Sequence, residues 1–266
     1  MSTDNPTPIG AEAVKPYDAH GAKTAQVEEM FDSIAPAYDF MNTAMTFGLH
    51  RHWRNRALDM AAEALRRNGI TVPAEVLDVA TGTGDVAFEL VHRYPEAHIT
   101  GIDLSTGMLN VARRKLAEHQ HTAHVDFETG DCLALRWESD TFDLITVAYG
   151  VRNFERLGQG YAEMTRVLRP GGVLCVVELS QPENRLCLAG YNIYSRHLIP
   201  LVGRLVSGDS RAYTYLPESI AAAPQRADMT ALMEQAGLQQ AVWKSLTFGA
   251  VTIYTATKPL SINTLR

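Results

Sequence analysis

Two glycines in the sequence stand where a ligand could approach the backbone closely. Gly82 and Gly84 follow the apolar run at residues 76–79 and precede a helical pattern that begins at Asp85. Glycines between a strand and a helix allow a tight turn, and the first turn of the helix offers free N–H groups. The pattern predicts a ligand-binding loop at this point in the chain.

A carboxylate follows this loop at a spacing that suits a ribose. Asp103 ends the next predicted strand, about twenty residues after the glycines, and such a carboxylate can accept hydrogen bonds from both ribose hydroxyls. Ala87 completes the relaxed dinucleotide pattern, so an NAD-dependent oxidoreductase fits these residues. A methyltransferase that uses S-adenosylmethionine (SAM) fits them equally well. The glycines and Asp103 alone leave both classes open.

The elements that position these residues alternate between strand and helix. This alternation predicts a doubly wound, mostly parallel α/β sheet with helices on both faces. Two β-rich runs, 240–246 and 250–257, predict a C-terminal hairpin and therefore an antiparallel end to the sheet. Further strands are predicted at 76–79, 98–103, 124–127, 142–148 and 172–178, and helices at 53–65, 85–92, 108–119, 160–168 and 226–236.

The domain organisation follows from changes in texture along the chain. Residues 24–258 are predicted to form one domain, in which 24–70 are a helical cap and the aromatic, poorly periodic residues 180–224 are a substrate lid. Residues 1–23 are predicted to be a disordered tail, and 259–266 a second tail. A lid with this composition could guide an apolar chain from a bilayer surface, although an internal helix packed on the sheet fits its spacing equally well.

Composition limits the partners and the compartment. The formal net charge of −6 and the pI of about 5.8 argue against nucleic acid. Cys132, Cys175 and Cys187 form no CxxC pair, which argues against a disulfide framework or a zinc site and favours a reducing cytoplasm. No apolar window is long enough to span a bilayer, so any contact with the inner face of a membrane is predicted to be peripheral. No metal is predicted, because the histidines at 119–124 lie in a solvent-like context.

Several motifs in order resemble those of class I SAM-dependent methyltransferases. They comprise Asp78 within its strand, Leu-Ser-Thr-Gly-Met-Leu after Asp103, Thr-Gly-Asp-Cys at 129–132, the strand at 142–147 and Leu-Arg-Pro-Gly-Gly at 168–172. The resemblance implies that Asp131 and Cys132 flank the adenine and that Asp103 holds the ribose. It also implies that Gly82, Thr83 and Gly84 line the methionine end. Ala148 stands at a cofactor position where related enzymes often carry serine, and it cannot supply a hydroxyl.

Other segments resemble the menaquinone and ubiquinone biosynthesis C-methyltransferases over about residues 26–258. The matching segments are 30–39, 48–51, 149–154 (Tyr-Gly-Val-Arg-Asn-Phe), 178–182 and 213–220. The resemblance implies methylation of a ring carbon in a prenylated demethylmenaquinol. The corresponding benzoquinol step of ubiquinone synthesis is the alternative, and a non-catalytic SAM-binding subunit or a homodimer is left open.

The chemistry of this reaction selects candidate catalytic residues. A ring carbon becomes nucleophilic when the neighbouring phenol ionises, and a phenol pKa near 10 means that ionisation at pH 7 needs assistance. Within the resemblance, Arg152 would stabilise the quinolate oxygen or orient a water, and Asn153 would fix its geometry. The alternative for Arg152 is a structural ion pair.

Three further groups complete the predicted site. His50 is the second catalytic candidate because imidazole titrates near neutrality, the alternative being a packed histidine. Tyr38, Asp39 and Asn42 are predicted to help close the cofactor pocket, and Tyr149 is placed on the substrate side.

Overall fold

A seven-stranded sheet organises the protein, with strand order β3-β2-β1-β4-β5-β7-β6. The computed structural model describes residues 10–18, 20–118, 124–195 and 210–260. The strands are β1 Glu75–Val79, β2 His98–Asp103, β3 Val125–Thr129, β4 Phe142–Ala148, β5 Leu168–Leu179, β6 Gln239–Leu246 and β7 Val251–Thr257. The helices are α1 Lys23–Ile34, α2 Tyr38–Thr46, α3 Leu49–Arg67, α4 Asp85–Arg93, α5 Thr106–Glu118, α6 Leu157–Val167, α7 Arg185–Ile193, α8 Ser210–Ala222 and α9 Ala227–Gln235.

The sheet is parallel except at its C-terminal end. β1 pairs in parallel with β2 and β4, whereas β7 pairs antiparallel with β5 and β6. In β1, Val76, Leu77 and Val79 are no more than 1% exposed, as expected of a central strand covered on both faces. The predicted fold class, with its antiparallel end, is confirmed.

The N-terminal helices cover the carboxyl edge of the sheet. α3 packs on β5 and β7, and Trp53 and Ala57 belong to the apolar cluster on that face. Met30 and Ile34 of α1 form a separate cluster with Met108 of α5. The cap therefore rests directly on the strand ends that carry the glycine loop.

Part of the segment predicted as a disordered tail is ordered, so that prediction is wrong for the described residues 10–18 and 20–22. Residues Gly10–Ala13 form a turn of 3₁₀ helix, in which Ala11 is 3% exposed. Glu12 Oε1 accepts a hydrogen bond from the backbone N–H of Leu157 at 2.7 Å. Hydrogen bonds between polar side chains and distant backbone atoms hold this segment in place. The sequence shows no apolar periodicity here, so the pattern does not predict the ordered turn. Residues 1–9 and 261–266 of the predicted tails lie outside the described residues.

Element boundaries differ from prediction in two places. α3 begins at Leu49 rather than at residue 53. Hydrophobic periodicity does not detect the first turn of this helix, because that turn is mostly polar and exposed. β5 begins at Leu168, so it runs through Arg-Pro-Gly-Gly, with a register shift against β4.

Within the predicted lid, α7 and α8 are described, and residues 196–209 lie outside the described residues. No helix in the described ranges is both long and apolar enough to cross a membrane.

Candidate active site

The glycine loop sits at the carboxyl end of β1, where Gly82 and Gly84 adopt φ values of +58° and +82°. A Cβ added to Gly84 would lie 2.7 Å from the ring of Phe127, so the residue must be glycine for packing. A Cβ added to Gly82 would meet no heavy atom within 4 Å. Gly82 therefore leaves room beside the loop for a ligand, while Gly84 anchors the loop to the sheet.

Asp103, at the end of β2, is held in position by backbone N–H groups. Its Oδ2 accepts a hydrogen bond from Gly82 N at 2.8 Å, and its Oδ1 accepts one from Ser105 N at 2.9 Å. Burial raises the pKa of Asp103 to about 6, against the opposing effect of these hydrogen bonds. Each carboxylate oxygen keeps a further lone pair, so the group can accept hydrogen bonds from a ligand.

A cleft opens beside this loop; we call it the glycine cleft. Five predicted cofactor residues line it: Gly82, Asp103, Asp131, Cys132 and Ala148. Thr83 and Gly84 are not among its lining residues, since Gly84 packs on the sheet and Thr83 is buried, its Oγ1 donating to Asp39 Oδ1 at 2.6 Å. The cleft fits SAM: it has a carboxylate that can bind a ribose, apolar walls that suit an adenine, and open space beside the glycine loop.

The cap is fastened to both sides of the glycine cleft. Asp32 Oδ1, in α1, accepts hydrogen bonds from Ser105 Oγ at 2.6 Å and from Gly107 N at 2.8 Å, so it caps the start of α5. Lys115 bridges Asp39 of α2, at 2.6 Å, and Asp85 of α4, at 2.8 Å. Asp39 thus contacts Thr83 of the glycine loop and Lys115 of α5, and Lys115 links it to α4.

A second cavity of about 340 Å³ lies between the cap and the sheet; we call it the aromatic cavity. Its walls are mostly aromatic and aliphatic, and its polar residues include Asn42, His50 and Arg152. Phe31, Tyr38 and Tyr149 line both this cavity and the glycine cleft. A ligand in one space would therefore lie against the same side chains as a ligand in the other.

Arg152 is 7% exposed and forms an ion pair with buried Glu178 on β5. The Arg152 Nη1 to Glu178 Oε1 distance is 2.7 Å, and Nη1 also donates to the carbonyl of Tyr149. The structural ion pair that the sequence left open is therefore present. Within the described residues, however, the buried Nε of Arg152 has no hydrogen-bond partner, which leaves a donor for a ligand.

The contacts of His50 define its tautomer. Thr46 Oγ1 donates to the carbonyl of Asn42 at 2.6 Å and lies 2.7 Å from His50 Nδ1. Because the hydroxyl proton is already used, we assign the ring proton to Nδ1, which leaves Nε2 as an acceptor. Burial and the nearby Arg54 lower the pKa of His50, so its imidazole is neutral at pH 7. A neutral imidazole with a free Nε2 can take up a proton.

Three residues around Arg152 were missed as site residues in the sequence. Tyr215 Oη donates to Asn153 Oδ1 at 3.0 Å, and Lys23 Nζ donates to the carbonyl of Arg152 at 2.8 Å. Two signals could have found Glu178: it lies in an apolar strand, where a buried carboxylate requires a partner, and in the segment 178–182 that resembles the family. Tyr215 lies in another such segment, 213–220, whereas Lys23 reaches the site from outside the matching segments and leaves no local pattern.

Comparisons with known proteins agree with this geometry. The model of the ubiE/COQ5 methyltransferase family matches residues 19–258. A demethylmenaquinone methyltransferase of Bacteroides fragilis is 42% identical over 247 residues, which cover 93% of this chain and 98% of that protein. A ubiquinone/menaquinone biosynthesis C-methyltransferase of Geobacter sulfurreducens is 39% identical over 239 residues, covering 90% of each.

Solved structures give the same fold. A SAM-dependent methyltransferase of Thermotoga maritima superposes with a TM-score of 0.57 at 18% identity, covering 86% of this chain and 99% of that one. At this identity the likeness concerns the fold alone.

Proposed function

The chain belongs to the ubiE/COQ5 methyltransferase family, and on that premise we propose that it methylates a ring carbon of prenylated demethylmenaquinol to give menaquinol. The observation that carries the proposal is the wall of Phe31, Tyr38 and Tyr149 shared by a cleft that carries Asp103 and Asp131 and by a largely apolar cavity. The cavity suits a flat aromatic ring with an apolar chain, and the cleft suits a nucleoside.

SAM is the proposed cofactor. Asp103 would hold the ribose, Asp131 and Cys132 the adenine, and the loop around Gly82 the methionine end. Burial raises the pKa of the Cys132 thiol, so this residue offers a neutral, apolar surface. When bound, SAM supplies an electrophilic methyl group, and the electron pair of the broken C–S bond remains on sulfur. Family membership does not support the alternative of an NAD-dependent oxidoreductase.

Arg152 is proposed to stabilise the quinolate. Arg152 lines a largely apolar cavity, where a hydrogen bond from a cation to a developing oxyanion is strong, and its Nε has no partner among the described residues. The ion pair with Glu178 holds the guanidinium in place, and Asn153, fixed by Tyr215, braces the same turn. Guanidinium remains protonated at neutral pH, so Arg152 acts as a donor rather than as a base.

His50 is proposed to take the proton that the ring carbon loses. Once the new C–C bond has formed, that carbon carries both the methyl group and a hydrogen, and removal of the hydrogen as a proton restores the aromatic ring. The neutral imidazole, with Nε2 unprotonated, can accept it. Tyr38 and Asn42 would close this part of the site, and burial raises the pKa of Tyr38, which keeps it neutral.

The apolar chain of the substrate accounts for the remaining features of the cavity. α7 and α8 contribute Tyr191, Tyr194 and Tyr215, and we assign residues 180–224 the role of a lid. Phe47, which lines the cavity, is 80% exposed, and Phe248, beside the lining residue Thr247, is 83% exposed. These rings support peripheral contact with a bilayer. Flotation with liposomes should be lost in a Phe47→Ser/Phe248→Ser variant, and unchanged flotation would contradict that contact.

Transfer of a labelled methyl group from SAM tests the function. The acceptors are short-chain demethylmenaquinol and, in parallel, the corresponding demethylbenzoquinol, both chemically reduced. We expect product from the naphthoquinol. Product from both rings would extend the function to ubiquinone synthesis, whereas product from the benzoquinol alone would replace the proposed substrate. SAM binding without product from either acceptor would contradict the proposal.

A further inference from the structure

Tyr149 has an unusual backbone for a bulky residue. Its φ is +59°, in the left-handed region that aromatic side chains rarely adopt. In this conformation its carbonyl accepts hydrogen bonds from Arg152 Nη1 and Asn153 Nδ2, and its N–H donates to the carbonyl of Val177 at 2.7 Å. The backbone of Tyr149 therefore contributes to the positioning of Arg152 and Asn153. Its conformation also places the side chain in the wall between the glycine cleft and the aromatic cavity.

The phenol hydroxyl of Tyr149 is buried and unsatisfied. Across the described residues, no hydrogen-bond partner lies within reach of its Oη. Other buried tyrosines have one: Tyr215 Oη donates to Asn153, and Tyr161 Oη donates to Met229 Sδ at 3.0 Å. A buried hydroxyl without a partner destabilises the folded protein, so such a group calls for an explanation.

A second residue of the same cavity carries an unpartnered donor. Arg152 lines the cavity, and its Nε is buried without a partner among the described residues. Burial raises the pKa of Tyr149 against the opposing effects of Arg54 and Arg152, so the hydroxyl keeps its proton and can donate it. Two neighbouring residues of a largely apolar cavity thus each carry a buried donor, one cationic and one neutral, without a partner in the described part of the chain.

We propose that Tyr149 Oη is a second hydrogen-bond donor, beside Arg152 Nε, to the acceptor oxygen that becomes negatively charged. The inference rests on the proposed function and deepens it by assigning the oxygen a two-donor site. Preorganised donors aimed at a developing charge lower the barrier because the protein has already met the cost of orienting them. The buried hydroxyl without a protein partner is then explained, since its acceptor is the substrate oxygen.

The decisive variant is Tyr149→Phe, which removes only the hydroxyl. We expect kcat for the quinol to fall about tenfold to a hundredfold, the usual effect of losing one donor to an oxyanion. The dissociation constant for SAM should change less than twofold. Tyr94→Phe is the matched control, because Tyr94 is a half-buried tyrosine outside both spaces, and its kcat should equal that of the native enzyme.

A series of acceptors distinguishes an electronic role from a packing role. Prenylated 1-naphthols with fluorine substituents remote from the methylated carbon have progressively more acidic hydroxyls. A more acidic hydroxyl needs less stabilisation, so the defect of Tyr149→Phe should shrink along the series. A defect that is equal for all acceptors, a defect that appears mainly as lost SAM affinity, or no defect would each overturn the inference.

A binding measurement separates this inference from the proposed function. Naphtholate absorbs at longer wavelength than naphthol, so the pKa of bound, prenylated 1-naphthol can be titrated by absorbance without any methyl transfer. The native protein should lower that pKa more than Tyr149→Phe does. Equal pKa values would overturn the role of Tyr149, even if the quinol is methylated. A difference would support it, even if the physiological acceptor is another phenol.

Discussion

The glycine cleft and the aromatic cavity share a wall but are built differently. In the cleft, polar contacts come from strand ends, where Asp103 and Asp131 each accept hydrogen bonds from nearby backbone N–H groups. In the cavity, polar groups are isolated among apolar side chains supplied by α1, α2, α3, α7 and α8. Backbone N–H groups thus hydrogen-bond to the carboxylates of the cleft, whereas Arg152 Nε and Tyr149 Oη, in residues that line the cavity, have no hydrogen-bond partner within the described residues. The difference shows that backbone contacts fix the polar groups of the cleft, whereas two polar groups of the cavity residues lack such support.

The largest effect is expected from removing the guanidinium cation of the cavity. Arg152→Met should lower kcat at least tenfold with little change in SAM affinity, because Arg152 does not line the cleft. It also leaves the buried Glu178 without its cationic partner and with hydrogen bonds from the backbone N–H groups of Arg152 and Leu179 alone, so the free energy of unfolding should fall by about 3–5 kcal/mol. Urea unfolding, calorimetric titration with SAM and the transfer assay measure these effects.

A double variant separates catalysis from stability in that experiment. Arg152→Met/Glu178→Leu removes both charges, so it should recover much of the lost stability while kcat remains low. Recovery of kcat together with stability would show that Arg152 is structural only.

Asp103→Asn probes the cleft side of the comparison. Loss of the carboxylate weakens hydrogen bonds that we assign to the ribose, so SAM affinity should fall about tenfold to a hundredfold, while kcat at saturating SAM is nearly kept. Calorimetric titration measures the affinity. Asp126→Asn is the control, because Asp126 is an exposed carboxylate of β3 outside both spaces. A similar loss in the control would contradict a specific role for Asp103.

Lys23, which supports Arg152, and Asp103 in the cleft should make the free energy of unfolding depend on pH in opposite directions. Burial lowers the pKa of Lys23, which bonds to the carbonyl of Arg152, from 10.5 to about 7. Between pH 7 and 10.5 the unfolded chain therefore binds more protons at this group, so the free energy of unfolding rises with pH, by about 2 kcal/mol from pH 7 to 9. In the cleft, the raised pKa of Asp103 makes stability fall as pH rises from about 4 to 6.

Urea unfolding at several pH values checks this difference. Lys23→Met should lose the rise between pH 7 and 9 and keep the decrease between pH 4 and 6. A variant that retains the full rise would show that Lys23 is charged in the folded state at pH 9.

The smallest effect is expected where the cap joins the glycine loop. Lys115 is 24% exposed, so its bridge between Asp39 and Asp85 contributes about 1 kcal/mol or less. Lys115→Met should raise the KM for both SAM and quinol a few-fold, because the bridge supports both spaces. Steady-state kinetics measure this, with Lys244→Met, exposed on β6, as the control. A change in only one KM would contradict a shared support.

The sequence predicts the glycine cleft better than the aromatic cavity, for a physical reason. Strand and helix periodicity locate the ends of β1, β2 and β4, and topology brings those ends together, so Gly82 and Asp103 line one cleft with Ala148, which the family resemblance singles out. The walls of the cavity come from helices that converge only after packing. His50 and Arg152 were placed on its wall by family resemblance, not by periodicity.

The misses share one cause. Lys23 and Tyr215 contact the turn at Arg152 and Asn153 from positions far away in the chain, so periodicity does not reveal these contacts, although Tyr215 lies in the family-like segment 213–220. The order of residues 10–13 escaped detection because the bonds of Glu12 and Lys23 to distant or buried backbone hold them, not an apolar stripe.

The contacts of Asp32 limit how the N-terminal helices of this enzyme can be exchanged with those of another protein. The carboxylate belongs to α1, yet it accepts hydrogen bonds from Ser105 and Gly107 at the start of α5, beside Asp103. A chimera that took α1 and α2 from another protein would begin α5 without this acceptor unless the donor had a carboxylate at the same place. Exchange of the cap between enzymes therefore requires a hydrogen-bond acceptor at the position of Asp32, because the start of α5, beside Asp103, depends on it.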